Sequence, residues 1–286
     1  MLDGATPSFA AAHDNRIVGN FIGVGYSVVS GNYLDRGNGG AGVTVAGPAN
    51  DISSNYIDYN GGYGVSVINP EAHDNTLSNN EIGILGFSLT DTGAGNAGGV
   101  VFQSGAHDNQ VGGGAISFNG GTGIRVVNGQ RNLIDAPAYG NGGLGIDLAG
   151  AGVTGNDNDS GPQAVDYANR GLNFPLLTSA TSGPAGTIAG SLLTTQGTYR
   201  ITLFASVSCD PSGHGEGQFF LGSSLTTTAA TGVGGQFLAS FAIQPPVQPN
   251  PSVPFITATA QDFDGNTSEF SACIYLDDFV FANGFE

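Results

Sequence analysis

The sequence predicts an all-β protein in two parts: a right-handed parallel β-helix, which is a solenoid of short strands, followed by an antiparallel β-sandwich. Three observations lead to this prediction. A phrase beginning AHDN recurs through the first half, a glycine-rich phrase follows each copy, and the second half shows apolar residues alternating at period two. The composition agrees, because 49 glycines among 286 residues suit a chain with many turns.

The first phrase is anchored on asparagine. It begins at Ala12, Ala72 and Ala106, and weaker copies such as NDISSNYID share only its asparagine and apolar positions. The anchors are Asn15, Asn50, Asn75, Asn109 and Asn132. Their separations of 35, 25, 34 and 23 residues predict one coil per unit, with an insertion of about ten residues in each long unit. Asparagine side chains can hydrogen-bond to their counterparts on the coils above and below, so the anchors predict a structural ladder.

Apolar residues at fixed distances from each anchor predict the core. Two positions after the anchors lie Ile17, Ile52, Leu77, Val111 and Ile134. Seven positions after them lie Ile22, Ile57, Ile82, Ile116 and Tyr139. Helical repeats are longer, with apolar spacings of three and four, and the leucine frame of leucine-rich repeats is missing. The parallel β-helix is therefore the remaining repeat class.

The second phrase predicts a glycine turn and a third short strand in each coil. It reads GGAGVTV at 39–45, GGYGVSV at 61–67, GGTGIRV at 120–126 and GGLGIDL at 142–148, with a looser copy, NAGGVVF, at 96–102. In each strand two inward apolar residues flank one outward residue.

After this helix the spacing changes to separate strands joined by turns such as DPSG and DFDGN. The predicted parts are a β-helix of about five coils over 1–160, an Ig-like β-sandwich over 169–275 and a C-terminal tail over 276–286. The sandwich is expected to cover the C-terminal end of the solenoid, because such an end exposes unpaired strand edges.

The phrases NxIxGNxI and NGGxGIxI, with the exit NGGLGIDLAGAGVTGNDNDSGPQ, resemble secreted bacterial right-handed β-helix repeat proteins of the pectin-lyase-like superfamily. The stretch ITATAQDFDGNTSEFSAC resembles the β-sandwich region that often follows such a helix. The resemblance covers nearly the whole chain and implies secretion. It implies no single activity, because the superfamily includes lyases, glycosidases, adhesins and inert scaffolds. The final FANGFE resembles short C-terminal tails of secreted bacterial proteins, which implies sorting or processing.

The net charge limits the binding partners that the protein can have, and the two cysteines bear on its cellular location. A net charge of −17 without any lysine argues against nucleic acid and against anionic membrane surfaces. No apolar run is long enough for a membrane span, and the first residues do not have the pattern of a signal peptide. Cys209 and Cys273 permit a disulfide, which would suit an extracellular or cell-surface location; two buried thiols are the alternative.

Catalytic and metal-binding residues are less evident. His and Asp are adjacent in each AHDN copy and point to opposite faces of a strand, so they predict exposed corner residues rather than a dyad. His73 and His107 lie on consecutive coils, close enough to share a transition metal. Arg125, the best remaining candidate for a lyase base, is expected to pair with Asp147 on the next coil. A glycosidase needs two carboxyl groups close together. Asp35, Asp51 and Asp58 are candidates, although no motif distinguishes them.

Two aspartate-rich turns, NDND at 156–159 and DFDGN at 262–266, are candidates for structural Ca²⁺. The candidate ligands are Asp157, Asp159, Asp262 and Asp264. Plain Asx-rich turns are the favoured alternative.

These observations predict a non-catalytic extracellular or cell-surface scaffold or adhesin-like protein, with a polysaccharide or cell-surface glycan as its partner. The alternative is a polysaccharide lyase or glycoside hydrolase of the pectin-lyase-like type. No catalytic residue is assigned, and the sequence does not predict an oligomeric state.

Overall fold

The computed structural model describes residues 12–85, 93–150, 152–157, 167–183, 185–229, 237–250 and 252–277. Regular structure in these ranges is almost entirely β, apart from a short 3₁₀ turn at Ala168–Gly171. No helix within them is long and apolar enough to cross a membrane.

Between Arg16 and Leu148 the chain forms five coils, and each coil gives one strand to each of three parallel sheets. The first sheet contains β1 (Arg16–Val18), β6 (Asp51–Ser53), β9 (Thr76–Ser78), β12 (Gln110–Gly112) and β15 (Leu133–Asp135). The second contains β2 (Phe21–Ile22), β7 (Tyr56–Ile57), β10 (Glu81–Ile82), β13 (Ala115–Ser117) and β16 (Ala138–Tyr139). The third contains β5 (Val43–Val45), β8 (Tyr63–Ile68), β11 (Gly98–Gln103), β14 (Ile124–Val126) and β17 (Ile146–Leu148). Equivalent residues therefore stack from coil to coil, as in a β-helix-like solenoid.

The apolar columns fill the solenoid interior. The column from Ile17 to Ile134 pairs in register along the first sheet. In the second sheet the register joins Ile22, Ile57, Ile82 and Ile116, and the fifth position belongs to Ala138. The prediction that Tyr139 fills this position is wrong by one residue.

The reason for this error is that the last coil has one residue fewer between its first two strands, and a one-residue shift turns a side chain to the opposite face of a sheet. Tyr139 therefore pairs with Ser117 and packs edge-on against Phe118, with ring centroids 5.5 Å apart, in a small cluster outside the main core.

Both long units carry their extra residues between the second and third sheets. In the first coil, β3 (Val24–Tyr26) and β4 (Tyr33–Asp35) form an antiparallel hairpin between β2 and β5. In the third coil the extra segment lies between β10 and β11, and its residues 86–92 are outside the described ranges. The two insertions thus leave the solenoid at equivalent corners, on either side of the second coil.

The second part consists of two antiparallel sheets that share a core. One contains β18 (Leu176–Ala180), β19 (Ile188–Thr194) and β22 (Phe237–Ile243). The other contains β20 (Thr198–Ser206), β21 (Phe219–Thr227), β23 (Phe255–Gln261) and β24 (Ile274–Tyr275). Leu192 of the first sheet and Ile201 and Ile256 of the second are fully buried in this core. A disulfide joins Cys209 to Cys273.

The tail predicted to start at 276 is described only at its first two residues. Leu276 is buried in the sandwich core and its N–H donates to the carbonyl oxygen of Pro254. The N–H of Asp277 donates to the carbonyl oxygen of Ala180. Residues 278–286, which include FANGFE, lie outside the described ranges.

The sandwich meets the last coil through hydrogen bonds to that coil's free backbone N–H groups. The pairs are Arg131 to Asn266 Oδ1 (2.7 Å), Ile134 to Thr267 Oγ1 (2.9 Å), Ala138 to Gly217 O (3.1 Å), Gly140 to Glu216 Oε1 (2.6 Å) and Leu148 to Glu269 Oε1 (2.9 Å). The ring of Phe270 lies against Gly145, where a Cβ atom would be only 2.8 Å from Phe270 Cε2. These contacts confirm that the second part covers the C-terminal end of the solenoid.

Candidate functional site

The anchor asparagines form a continuous hydrogen-bonded column inside the solenoid. The backbone N–H and Nδ2 of Asn15 both donate to Asn50 Oδ1, at 3.0 and 2.9 Å. The same paired bonds continue through Asn75 and Asn109 to Asn132. The N–H of Asn132 then donates to Asn169 Oδ1, 3.0 Å away, on the 3₁₀ turn beyond the last coil. These residues hold the coils together, and from Asn50 onward they are buried and not available to a ligand.

Two further columns of the same kind stand at the other corners. One contains Asn20, Asn55 and Asn80. The other contains Asn38, Asn60, Asn96, Asn119 and Asn141. The third column was missed in the sequence, although four of its five members precede a Gly-Gly pair and the fifth precedes Ala-Gly-Gly.

The His-Asp pairs lie at the corner that precedes the first sheet. Asp14, Asp74 and Asp108 adopt left-handed backbone conformations with φ near 55°, which aspartate tolerates better than most residues. Each aspartate Oδ2 is hydrogen-bonded to Nδ1 of the histidine before it, at 2.5–2.7 Å. Asp108 also accepts two hydrogen bonds from Arg131, and these bonds lower the pKa of its carboxyl.

Three of the four candidate calcium ligands line one cleft. Asp157, Asp262 and Asp264 face a cavity of about 250 Å³ between the 3₁₀ turn and the sandwich, whereas Asp159 lies outside the described ranges. Both carboxylate oxygens of Asp262 accept hydrogen bonds from Asn266, and Asp264 pairs with Arg170 at 3.2 Å. Among the residues that the structure describes, no group of three or more His, Cys, Asp or Glu side chains is arranged to hold a metal ion. The cleft therefore brings together three of the four candidate ligands, and two of them, Asp262 and Asp264, are bonded to protein groups.

Arg125 and Asp147 are neighbours on the last two coils, with Arg125 Nε 3.9 Å from Asp147 Oδ2. Asp147 is only 3% exposed, and burial raises the pKa of its carboxyl in spite of the nearby cation. The expected neighbours are thus a partly exposed Arg125 and a buried Asp147. Arg125 Nη2 also donates a hydrogen bond to the Gly150 carbonyl oxygen at 2.9 Å, so the guanidinium is already held by protein groups.

An acid–aromatic patch, defined by Phe21, Tyr33, Tyr56, Asp58 and Glu81, lies on the outer face of the second sheet. The outward column of this sheet places Phe21, Tyr56 and Glu81 on successive coils in register. The rings of Phe21 and Tyr56 stack with centroids 4.9 Å apart and planes 7° apart. Tyr33 of the inserted hairpin stacks beside Phe21 at 6.2 Å. Phe21 is 53% exposed and Tyr33 is 44% exposed, so this aromatic surface faces solvent.

The two carboxyls of the patch are held in an environment that favours their neutral forms. Burial raises the pKa of Asp58 to about 8, and the nearby charge of Glu81 adds to the shift. Burial raises the pKa of Glu81 to about 7. Neither carboxylate oxygen of Asp58 has a hydrogen bond of good geometry with any described residue, although the backbone N–H groups of Gly83 and Ile84 lie near enough to lower its pKa in part.

Only part of this patch follows from the sequence. Asp58 was one of three candidate carboxyls, and Asp51 is not grouped with it, because Asp51 lies on the first sheet and bonds to Arg16 at 3.1 Å. Asp35 is on the hairpin, near Tyr59. Glu81 was missed, although it occupies the outward position at which other copies of the phrase carry Phe, Tyr or Ala.

No protein-family model matches the sequence, and no curated protein is similar to it. Within the patch the rings of Phe21 and Tyr33 are accessible, whereas the carboxyls of Asp58 and Glu81 are buried.

Proposed function

We propose that the protein is a non-catalytic, extracellular scaffold or adhesin-like module that binds a polysaccharide or cell-surface glycan at the acid–aromatic patch. We further propose that its solenoid is a right-handed β-helix of the pectin-lyase-like type. The handedness is supported by the strong preference of parallel strand connections for the right-handed form. The single observation that carries the binding function is the exposed ring of Phe21, which stacks on the half-buried ring of Tyr56 with Tyr33 beside it. Exposed aromatic rings of this kind pack against the apolar faces of pyranose rings.

The position of the insertions supports the same surface. In repeat proteins, insertions from individual repeats often build the binding face. Here the hairpin of the first coil contributes Tyr33 to the patch, and the third coil contributes Glu81 immediately before its own insertion. The disulfide between Cys209 and Cys273 favours an oxidising compartment, which supports an extracellular location.

The test is retention on a panel of acidic and neutral polysaccharides, with and without calcium. We expect the protein to be retained on at least one polymer, and the double variant Phe21→Ala/Tyr33→Ala to lose that retention. Tyr275→Ala is the matched control, because Tyr275 is 63% exposed on the sandwich, away from the patch. Equal retention of the double variant and the native protein would contradict the assignment of the patch.

A second function, hydrolysis of the bound polysaccharide, is favoured by the neighbouring carboxyls of Asp58 and Glu81. A carboxyl with a pKa of about 8 remains protonated at neutral pH, as a general acid must, while one with a pKa of about 7 is partly ionised. Binding is nevertheless preferred, because Asp58 is fully buried and a proton donor has to reach the glycosidic oxygen. New reducing ends that disappear in both Asp58→Asn and Glu81→Gln would establish hydrolysis, and unsaturated ends would indicate a lyase.

A further inference from the structure

The side chains of His73 and His107 lie one above the other on the third and fourth coils. The two residues form a parallel β-bridge, and their rings stack with centroids 5.3 Å apart and planes 8° apart. Their side chains are 37% and 32% exposed, so both rings are partly accessible to solvent. The solenoid repeat thus brings together two imidazoles that are 34 residues apart in the sequence.

The hydrogen bonds of these two histidines determine which ring nitrogen carries the proton. His73 Nδ1 lies 2.7 Å from Asp74 Oδ2, and His107 Nδ1 lies 2.5 Å from Asp108 Oδ2. A carboxylate can only accept, so each neutral ring carries its proton on Nδ1 and presents a lone pair at Nε2. Neither Nε2 has a hydrogen-bond partner among the described residues. A carboxylate behind the distal nitrogen is the arrangement that orients histidine and raises its basicity in metal sites.

We propose that His73 and His107 form a two-histidine site for a divalent transition-metal ion that prefers imidazole, such as Zn²⁺ or Cu²⁺. In a tetrahedral site, metal–nitrogen distances of about 2.0–2.1 Å place two nitrogen ligands about 3.3 Å apart. The two rings, whose centroids are 5.3 Å apart, therefore have to tilt so that their Nε2 edges come closer than their centroids. Because no group of three suitable side chains exists among the described residues, water completes the coordination. A surface depression of about 510 Å³ gives solvent access to His107; Gln130 and Arg131 of the next coil also line it, and His73 does not.

The chain contains its own control for this proposal. His13 has the same bond to its aspartate, with Nδ1 2.6 Å from Asp14 Oδ2, but the equivalent position on the next coil is Pro48. His13 therefore has the oriented lone pair without a second imidazole above it. On the coil after His107 the column continues as Gln130, which shows that glutamine fits this corner.

The experiment is titration of tag-free, full-length protein with Zn²⁺ by isothermal calorimetry, and with Cu²⁺ by electron paramagnetic resonance. We expect one strong site per chain and a copper spectrum with hyperfine coupling to two nitrogens. His73→Gln and His107→Gln should each weaken binding by tenfold or more and reduce the coupling to one nitrogen, while His13→Gln should change neither. Circular dichroism melting curves verify that each variant is folded.

Asp74 is a positioning residue in this site, and Asp74→Asn tests that role. Asparagine tolerates the left-handed backbone at this corner, where φ is 56°, so the fold is expected to persist. Loss of the carboxylate behind the ring should weaken Zn²⁺ binding by about 10–100-fold. Unchanged affinity in both His73→Gln and His107→Gln, or an equal loss in His13→Gln, would overturn the proposal.

Discussion

Asp58 shows how a single residue can make the stability of this fold depend on pH. Its side chain is fully buried, and burial raises the pKa of its carboxyl to about 8. The folded protein therefore keeps a proton on Asp58 at pH values at which the unfolded chain has released it. Because the native state then binds more protons than the unfolded state, stability falls as the pH rises from about 4 towards 8. Glu81 contributes in the same direction up to a pH of about 7.

We expect Asp58→Asn to flatten this dependence. Asparagine has nearly the shape of the protonated carboxyl and does not ionise. Over the pH range in which Asp58 is protonated only in the folded protein, it lowers the free energy of unfolding by about 1.4 kcal/mol for each pH unit of increase. Urea unfolding at pH 5, 6, 7 and 8 measures the slope for both proteins. Parallel slopes would show that Asp58 is not responsible.

The asparagine columns are a second residue-scale source of stability. We expect Asn75→Ala to destabilise the protein, because the buried N–H of Asn50 loses the Asn75 Oδ1 acceptor 2.8 Å away. An unpaired buried N–H costs about 1–3 kcal/mol. Asn15→Ala is the control, since Asn15 is exposed at the end of the column and should change stability by no more than about 0.5 kcal/mol. Chemical denaturation compares the two variants, and equal effects would mean that the column does not stabilise the interior.

At the scale of the element, the last coil shows how a solenoid ends. Strands β15, β16 and β17 form the C-terminal edges of the three sheets, and each has a backbone N–H that donates to an acceptor supplied by the sandwich. Two of the acceptors across this end, Glu216 and Glu269, are carboxyls whose pKa burial raises to about 7. Side chains and one backbone carbonyl of the sandwich thus take the place of a sixth coil and cover sheet edges that could otherwise pair with other chains.

The contribution of one such side chain can be measured with Thr267→Val. The substitution keeps the shape of Thr267 and removes the Oγ1 that accepts the Ile134 N–H at 2.9 Å. We expect a loss of about 1–3 kcal/mol in unfolding free energy. Thr198→Val is the matched control, because the Thr198 hydroxyl bonds only to an exposed threonine hydroxyl. A loss no larger than that of the control would show that water replaces the missing acceptor.

The elements that could be predicted from the sequence are those that repeat. The asparagine spacing identified the coils, and the phrases at 39–45, 120–126 and 142–148 each contain a strand of the third sheet. The errors occur where one coil departs from the others. Tyr139 was misplaced because the last coil is shorter by one residue, and Glu81 was overlooked because outward positions follow no apolar rule. The patch joins residues from three coils and an inserted hairpin, so its assembly depends on tertiary contacts that no single phrase encodes.

On the scale of the whole molecule, the two ends of the solenoid differ. The C-terminal end is covered by the sandwich, whereas β1, β2 and β5 are edge strands in the part of the chain that the structure describes. The sandwich is itself closed by the disulfide between Cys209 and Cys273, which are 64 residues apart. Its stability and the protection of the solenoid end are therefore coupled.

Replacing both cysteines with serine should reveal this coupling. We expect the free energy of unfolding to fall by about 2–5 kcal/mol, since the disulfide restricts a long loop in the unfolded chain. The measurement is thermal unfolding of the native and Cys209→Ser/Cys273→Ser proteins, with light scattering to detect association through exposed strand edges. Adding a reductant should lower the melting temperature of the native protein and leave that of the variant unchanged. If reductant affects both equally, the disulfide is not the cause.

Among the described residues, the sandwich bonds to the final coil and to the turn that leads into it. Two of the three asparagine columns run through all five coils. A gene duplication or deletion that adds or removes one complete coil between two anchors, such as the 23 residues from Asn109 to Arg131, would therefore keep these two columns continuous and leave the contacts between the last coil and the sandwich unchanged. Length in this architecture is an evolvable quantity that changes in whole steps, so relatives are expected to differ in the number of turns more readily than in the shape of any one of them.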